Sequence, residues 1–483
     1  MNTSKNIFYN VLLAISQVLF PLVTFPYLAR TLGPEHIGII NFAESFAKYF
    51  TLLAALGIPI YGVREVAKFA QEKLFLSKTF LEIFLINVIG TFLLAFIFAG
   101  LIYFVPLLQA EKELFYWALG YFVLQVFHLE WFFTGMNQFK FIAIRSFIIR
   151  FFFIAAVFVL IRTKVDYVYY FIMQFGLTFF LAVLNGKKLF ELLDFKKIAF
   201  KSMEFKKHLK PMAILFLTIF TISVYFSLDT ILLGFLADNQ SVGYYASALK
   251  LNRLFIAVLS AISVAMFPNL VSLYHQGFKA TFIEKIEQST YLAMSISLPL
   301  VLGIMLCAPE IISVLLGIQF QRAILPLQIT APLIFIISLS GIFGFQVLSA
   351  VGKDRSIFIA ALIGMLLSII AAILWVPAFK EIGAAYTILL TEGAVALSFF
   401  LFAKAHLNLN AIKTIFFKQV AGAVPYVLII LAFKELVPTT LLRLIVIAIF
   451  AAAWFVIFQL YILKNSIYKK QLDKLKVKLF KTI

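Results

Sequence analysis

Charge is scarce in this chain: Asp, Glu, Lys and Arg make up 13% of its 483 residues, against about 25% in an average soluble domain. Cysteine is nearly absent. Cys307 is the only one, which excludes an intramolecular disulfide and any metal site built on several thiolates. No GxxxxGK[ST] phosphate loop occurs, so a built-in P-loop ATPase is excluded too. What fills the chain instead is apolar: 63% of residues are hydrophobic and the mean hydropathy is +1.03. A water-soluble fold of this size cannot hide so much apolar surface, so its solvent must largely be lipid. A soluble enzyme, a nucleic-acid binder and a disordered protein are thereby ruled out.

A membrane span needs roughly 20 mostly apolar residues. Hydropathy places fourteen: 8–29, 37–57, 80–105, 114–134, 141–161, 166–186, 211–235, 243–273, 288–307, 326–350, 357–376, 382–403, 415–433 and 441–463. Twelve is the alternative count, because 243–273 is long and 299–332 is interrupted by Pro299, Pro309, Pro326 and Pro332. The remaining residues are spread over short loops, which leaves no room for an independent soluble domain. The apolar run that follows Lys5 reads as a first span and not as a removed signal, since no small-residue cleavage site closes a short core.

The basic excess, +19, sets the expected orientation. With the N-terminus in the cytoplasm, 29 Lys and Arg fall in inside segments and six in outside loops. Such a bias is what retains loops on the cytoplasmic side, and one miscounted span would reverse every later loop. Both termini are therefore expected inside.

The sequence also repeats. LGPEHIGIINFAESFAKYF from Leu32 matches LGFLADNQSVGYYASALKLNRLF from Leu233, at an offset of 205 between Gly38 and Gly243. TGMNQFKFIAIRSFIIRFFFIAAVFVL from Thr134 matches VGKDRSIFIAALIGMLLSIIAAILWV from Val351, at an offset of 217. Two matches in the same order predict an all-α, polytopic protein of two six-helix bundles plus two extra helices. The expected divisions are a first bundle at 1–186, an amphipathic linker at 187–210, a second bundle at 211–405, two further helices at 406–463 and a basic tail at 464–483. Linker and tail alternate lysines with apolar residues at helical spacing, as helices lying on an anionic lipid surface do.

Several stretches resemble bacterial polysaccharide flippases of the O-antigen exporter type. They are PLVTFPYLARTLGPEHIGIINFA (21–43), GIPIYGVREVAK (57–68), EWFFTGMNQFKFIAIRSFIIR (130–150), HLKPMAILFLTIFTISVYFSLDTILLG (208–234) and VGYYASALK (242–250). The similarity covers the first 275 residues and is looser beyond. That family shares a superfamily with multidrug extruders and the lipid II flippase. The resemblance implies two bundles around a central cavity, and export of undecaprenyl-diphosphate-linked oligosaccharide to the outer leaflet of the bacterial inner membrane. It implies no catalytic residues, no metal and no cofactor. The partners it implies are the lipid-linked substrate, membrane lipids, and a polysaccharide polymerase with its chain-length proteins. The competing readings are a multidrug or small-cation extruder of the same superfamily and, further off, a membrane polymerase or glycosyltransferase.

Charges inside spans are costly, so each needs a partner or a wet cavity. Lys48 and Arg253 each lie ten residues after a repeat glycine, Gly38 and Gly243, which puts a cation at equivalent depth in each half. A diphosphate crossing the apolar core needs such compensation, and Arg can bond two phosphate oxygens at once. Arg150, Arg145 and Lys250 are further candidates for that contact. The plainer alternative for Lys48 is pairing with Glu44, one turn earlier. Asp229, Glu44, Glu392 and Glu130 are candidates for ion coupling, since a buried carboxylate can carry a proton, or else sit in a fixed ion pair. His128, near Glu130, is a further titratable group. Pro21 and Pro26 fall inside the first span, where a missing hydrogen bond permits a hinge. Tyr103, Trp117, Tyr244, Tyr245 and Trp375 fit an interfacial aromatic belt.

Overall fold

The computed structural model describes residues 3–195, 198, 203–465 and 468–469, which hold helix and, among the described residues, no strand. The fold is all-α and polytopic. Eight of the described helices are long and apolar enough to cross a membrane, and two bent helix pairs meet the same test together. Each of the fourteen ranges expected from hydropathy is centred on helix. Spans one and two meet at Gly33, and spans eleven and twelve at Lys380, each a non-helical residue inside the expected loop.

The helices gather into two compact units, Met1–Ala246 with Ala372–Lys380, and Ser247–Ala371 with Glu381–Ile483. The first unit is built from α1 (Thr3–Ala55), α2 (Ile58–Lys68), α3 (Lys73–Phe104), α4 (Pro106–Ala110), α5 (Lys112–Leu124), α6 (Glu130–Gly135), α7 (Phe139–Leu160), α8 (Tyr169–Leu192), α9 (Lys206–Leu236) and the opening turns of α10 (Asn239–His275). Helix α1 is its spine and packs against α3, α5, α7 and α9. Its bend sits at Gly33 (φ 78°, ψ 171°), a conformation open to glycine, followed by Pro34. Pro21 and Pro26 lie within the helix, and Gly33 is the one residue of α1 with non-helical dihedrals. Phe80, Ile83, Trp131, Phe132, Phe133 and Met212 anchor the core of this unit.

The second unit holds the rest of α10 with α11 (Lys279–Leu315), α12 (Ile324–Thr330), α13 (Leu333–Ser340), α14 (Asp354–Ala403) apart from its segment Ala372–Lys380, α15 (Leu409–Leu436) and α16 (Thr440–Ile457). Helix α11 is central and packs against α12, α13, α15 and α16. Phe282, Ile286, Phe343, Val347 and Phe399 form its main core. Cys307 is buried against Ile430 and Ile447, which is packing and not chemistry. A tight turn in the long run 354–403 occurs at Lys380 (φ 50°, ψ −124°).

Large apolar side chains stand exposed along the helices, among them Phe92, Phe96 and Phe104 of α3, Leu374 of α14 and Leu428 of α15. In water this would be untenable; in lipid it is the expected outer surface. Two expected belt residues are not there: Tyr244 and Tyr245 are 5% and 0% exposed, because the opening turns of α10 pack inside their unit. In the linker, α8 runs on to Leu192 and α9 starts at Lys206. Residues 196, 197 and 199–202 of the linker, and all of the tail 464–483 except 464, 465, 468 and 469, lie outside the described residues.

Candidate functional site

Three polar clusters interrupt the apolar interior of the first unit. The first lies where the two repeat-related segments meet. A Cβ built on Gly38 would stand 1.6 Å from the Asn239 carbonyl oxygen, and one built on Gly243 would stand 1.8 Å from that of Pro34. The two backbones therefore touch, and only glycine allows it. Beside this contact Asp229, near the end of α9, is 2% exposed. Its Oδ1 accepts from the Thr230 backbone N–H at 2.7 Å, and its Oδ2 accepts from the Tyr245 hydroxyl. Asp238 accepts from the Ser241 N–H at 2.7 Å and from Lys380 Nζ at 2.9 Å. Burial alone would raise the Asp238 pKa; the Lys380 ammonium and the Ser241 donor outweigh it and hold the carboxyl below its usual range.

The second cluster follows from a broken span. The run expected as one helix at 114–134 stops at Leu124, passes through a 3₁₀ turn, and restarts at Glu130 after Leu129, whose φ is 49°. Non-helical backbone at membrane depth is tolerated where it is buried in protein or lines a cavity. Here both hold. Asn185 Nδ2 donates to the carbonyls of Phe127 at 2.7 Å and His128 at 2.9 Å, while its Oδ1 accepts from Arg145 Nη1. On the other side a cavity of about 370 Å³ opens, lined by Thr51, Asn87, Thr91, Gln125, His128, Glu130 and Thr134 among others. His128 Nδ1 stands 3.5 Å from Glu130 Oε2.

Sequence reasoning missed the third cluster as a unit. Glu82 of α3 has no exposed side-chain surface. It accepts from the Glu204 N–H at 2.7 Å and pairs with Lys207 at 3.0 Å. His208 Nε2 lies 2.8 Å from Oε2, the oxygen that Lys207 also meets, and His208 Nδ1 is bonded to the Tyr61 hydroxyl at 2.7 Å. Three segments far apart in the chain, α2, α3 and the start of α9, are tied together by one carboxylate. The only local trace in the sequence is the i,i+4 spacing of Lys78 and Glu82, which stand 3.9 Å apart.

The remaining candidates separate by burial. Lys48 on α1 and Arg253 on α10 are exposed; Glu44, Arg150 and Lys250 are half-buried. Glu392 on α14 is 2% exposed. Arg145 is also 2% exposed, with its guanidinium over the rings of Phe133 and Phe141 at 5.1 and 5.3 Å. That environment makes Arg145 a support for the broken span by way of Asn185. Among the described residues no group of three or more His, Cys, Asp or Glu is placed to hold a metal ion.

Residues 3–274 match the family described as "Polysaccharide biosynthesis protein". The chain belongs to that family. Among curated proteins it is similar to a putative O-antigen transporter of Escherichia coli (strain K12), 26% identical over 401 residues, covering 81% of this chain and 95% of that protein. A putative O-antigen transporter of Shigella dysenteriae is 23% identical, covering 81% of this chain and 98% of its own length. Among solved structures, the lipid II flippase MurJ in an inward closed conformation superposes with a TM-score of 0.69 at 15% identity, covering 94% of this chain and 99% of that one. An inward-facing multidrug resistance MATE family transporter superposes with a TM-score of 0.62 at 14% identity, covering 82% and 96%. At those identities the structural likeness speaks for the fold. Both of these curated relatives are named as transporters.

Proposed function

We propose that this protein is a flippase moving an undecaprenyl-diphosphate-linked oligosaccharide, an O-antigen or related surface-polysaccharide repeat unit, from the inner to the outer leaflet of the bacterial inner membrane. The observation that carries this reading is the family match over residues 3–274 together with relatives named as O-antigen transporters that align with 81% of the chain. The internal repeat supports alternating access between two bundles. The distribution of Lys and Arg supports cytoplasmic termini, which puts the Gly38–Gly243 contact at the outer end. With no phosphate loop in the chain, an ion gradient is the driver we propose, and a polymerase with its chain-length proteins is the downstream machinery.

In this reading Lys48 and Arg253 compensate the diphosphate. They are exactly one repeat offset apart, 205 residues, and both are exposed. Arg150 and Lys250 are secondary contacts, and Arg145 acts by positioning. Asp229, Glu44, Glu392 and Glu130 are the carboxylates available for coupling. Hinge motion in α1 falls to Pro21 and Pro26, or to the bend at Gly33.

Reconstitution tests the reading. Vesicles carrying the protein and a fluorescent undecaprenyl-diphosphate sugar should expose the probe on the opposite leaflet faster than protein-free vesicles. The Lys48→Ala, Arg253→Ala double variant should abolish that exposure at unchanged protein level. Full exposure in the double variant would remove the diphosphate assignment. A multidrug extruder would leave the lipid-linked probe where it started.

A further inference from the structure

We propose that the cavity at the broken span of the first unit is a proton-binding site, with His128 and Glu130 sharing the proton and Asn185 and Arg145 holding the break open. The inference rests on the flippase reading for its use in transport, but the site itself stands on geometry alone.

A helix that could have run unbroken through 114–134 is interrupted, with Leu129 in a left-handed conformation that a leucine rarely adopts. Such a break persists only when its surroundings over-determine it. The surroundings do so here: one side chain, Asn185, donates to two carbonyls at the break, those of Phe127 and His128, and a buried arginine fixes the orientation of that amide. The result points an imidazole and a carboxylate at one another across 3.5 Å, each side chain 43% exposed. A merely structural ion pair would not need a cavity of about 370 Å³ beside it. Broken helices in transporters mark the places where ions are bound.

The chemistry of the lining selects the ligand. Trp131, on the cavity wall, is 8% exposed and stacked on Phe80, so it presents no open face to a sugar ring. Among the described residues Glu130 is the only carboxylate lining the cavity, a poor set for a divalent cation. Arg145 and Arg150 of α7 lie within electrostatic reach of the pair, and both disfavour a metal cation. A proton needs only the pair. With His128 neutral and Glu130 ionised the pair carries one negative charge. Uptake of one proton brings it to zero, and release restores the charge, so each cycle moves one H⁺ and forms or breaks one N–H or O–H bond. The neutral state is the one that apolar surroundings favour.

The test uses full-length protein in lipid nanodiscs with ¹³C-labelled histidine. The chain has five histidines, so the His128 resonance is assigned as the one lost in His128→Gln. It should titrate across roughly pH 4–9, and Glu130→Gln should lower its midpoint by about one pH unit or more, since a carboxylate at this distance stabilises imidazolium. In vesicles both variants should lose the acceleration given by a pH gradient and keep gradient-free exchange of the lipid-linked probe. A His128 signal that does not titrate, or that titrates alike in Glu130→Gln, overturns the proposal, and so does full gradient dependence in both variants. Coupled titration in a wild-type protein that moves no lipid-linked probe would sustain the proton site and defeat the flippase reading instead.

Discussion

Gly38 and Gly243, 205 residues apart in the chain, make reciprocal contacts: each faces the carbonyl that lies four residues before the other. Gly38 meets Asn239, and Gly243 meets Pro34, which is itself one repeat offset from Asn239. Reciprocity of this kind is the mark of an isologous contact across a two-fold axis. Here the axis relates two segments of one chain, so the repeat legible in the sequence becomes a local pseudo-symmetry in space.

Gly38→Ala and Gly243→Ala should therefore behave as a matched pair. Each adds a methyl group where a backbone oxygen already stands within 2 Å of its position, and forced overpacking costs about 1–3 kcal/mol. Either alanine should lower the thermal midpoint in detergent and the rate of probe flipping to a similar degree. Unequal effects, with one substitution silent, would argue against the pseudo-symmetric contact.

Asp229 and Tyr245 supply the next expectation. Both are buried, at 2% and 0% exposure, and the tyrosine hydroxyl donates to the carboxylate. Tyr245→Phe keeps the ring and removes the donor, leaving a buried acceptor short of a partner at a cost of about 1–3 kcal/mol. A lowered thermal midpoint in detergent would register it. Asp229→Asn should couple to Tyr245→Phe, so the double variant should lose less than the two single losses added together. If Asp229 also couples transport, Asp229→Asn should abolish gradient-driven flipping and spare downhill exchange. Strict additivity in the cycle would mean the two groups do not interact.

How far the sequence foretold all this depends on whether a feature is local. Helix positions and the repeat are carried by hydropathy and spacing, and helix lies at the centre of each range that hydropathy selects. The bend at Gly33 falls in the loop expected between spans one and two, while Pro21 and Pro26 stay within the helix. In a membrane helix, neighbouring groups can satisfy the carbonyls a proline frees, whereas a glycine in a positive-φ conformation turns the chain outright. The Glu82–His208–Tyr61 cluster has no such local signal. Its members are 126 and 147 residues apart, and nothing but the tertiary fold brings them together. Tyr244 and Tyr245 were misplaced in an interfacial belt because burial within a unit and exposure to lipid headgroups select the same residue type.

Asn185 offers a large expected stability loss for a single polar side chain. Its amide serves Phe127, His128 and Arg145 at once. Asn185→Ala leaves two carbonyls and one guanidinium nitrogen short of partners inside the protein, at about 1–3 kcal/mol for each group that finds no substitute. Asn185→Asp keeps the acceptor for Arg145 and loses both donations, so it should fall between wild type and alanine. Thermal unfolding of the three proteins in one detergent ranks them. An alanine variant as stable as wild type would mean that other groups hold the break at Leu129.

The Asp238–Lys380 pair gives the pH dependence. Both side chains are near half exposure, 43% and 48%, so solvent screens the pair and its worth is about 0–1 kcal/mol. The carboxyl is held below its usual range in the folded protein, against the competing effect of burial. A depressed carboxylate pKa contributes stability that is fully present above the unfolded-state pKa, about 3.9, and is lost as pH falls through the lower folded-state value. Wild type and Asp238→Asn should accordingly keep a constant small gap in thermal midpoint from neutral pH down to about pH 5, and the gap should close only under stronger acid. Lys380→Ala should reproduce the loss of the pair. Lys380→Gly should recover part of it, because the residue sits at φ 50°, where a side chain is strained and glycine is not. A gap that opened on acidification would reverse the sign of the shift and refute the assignment.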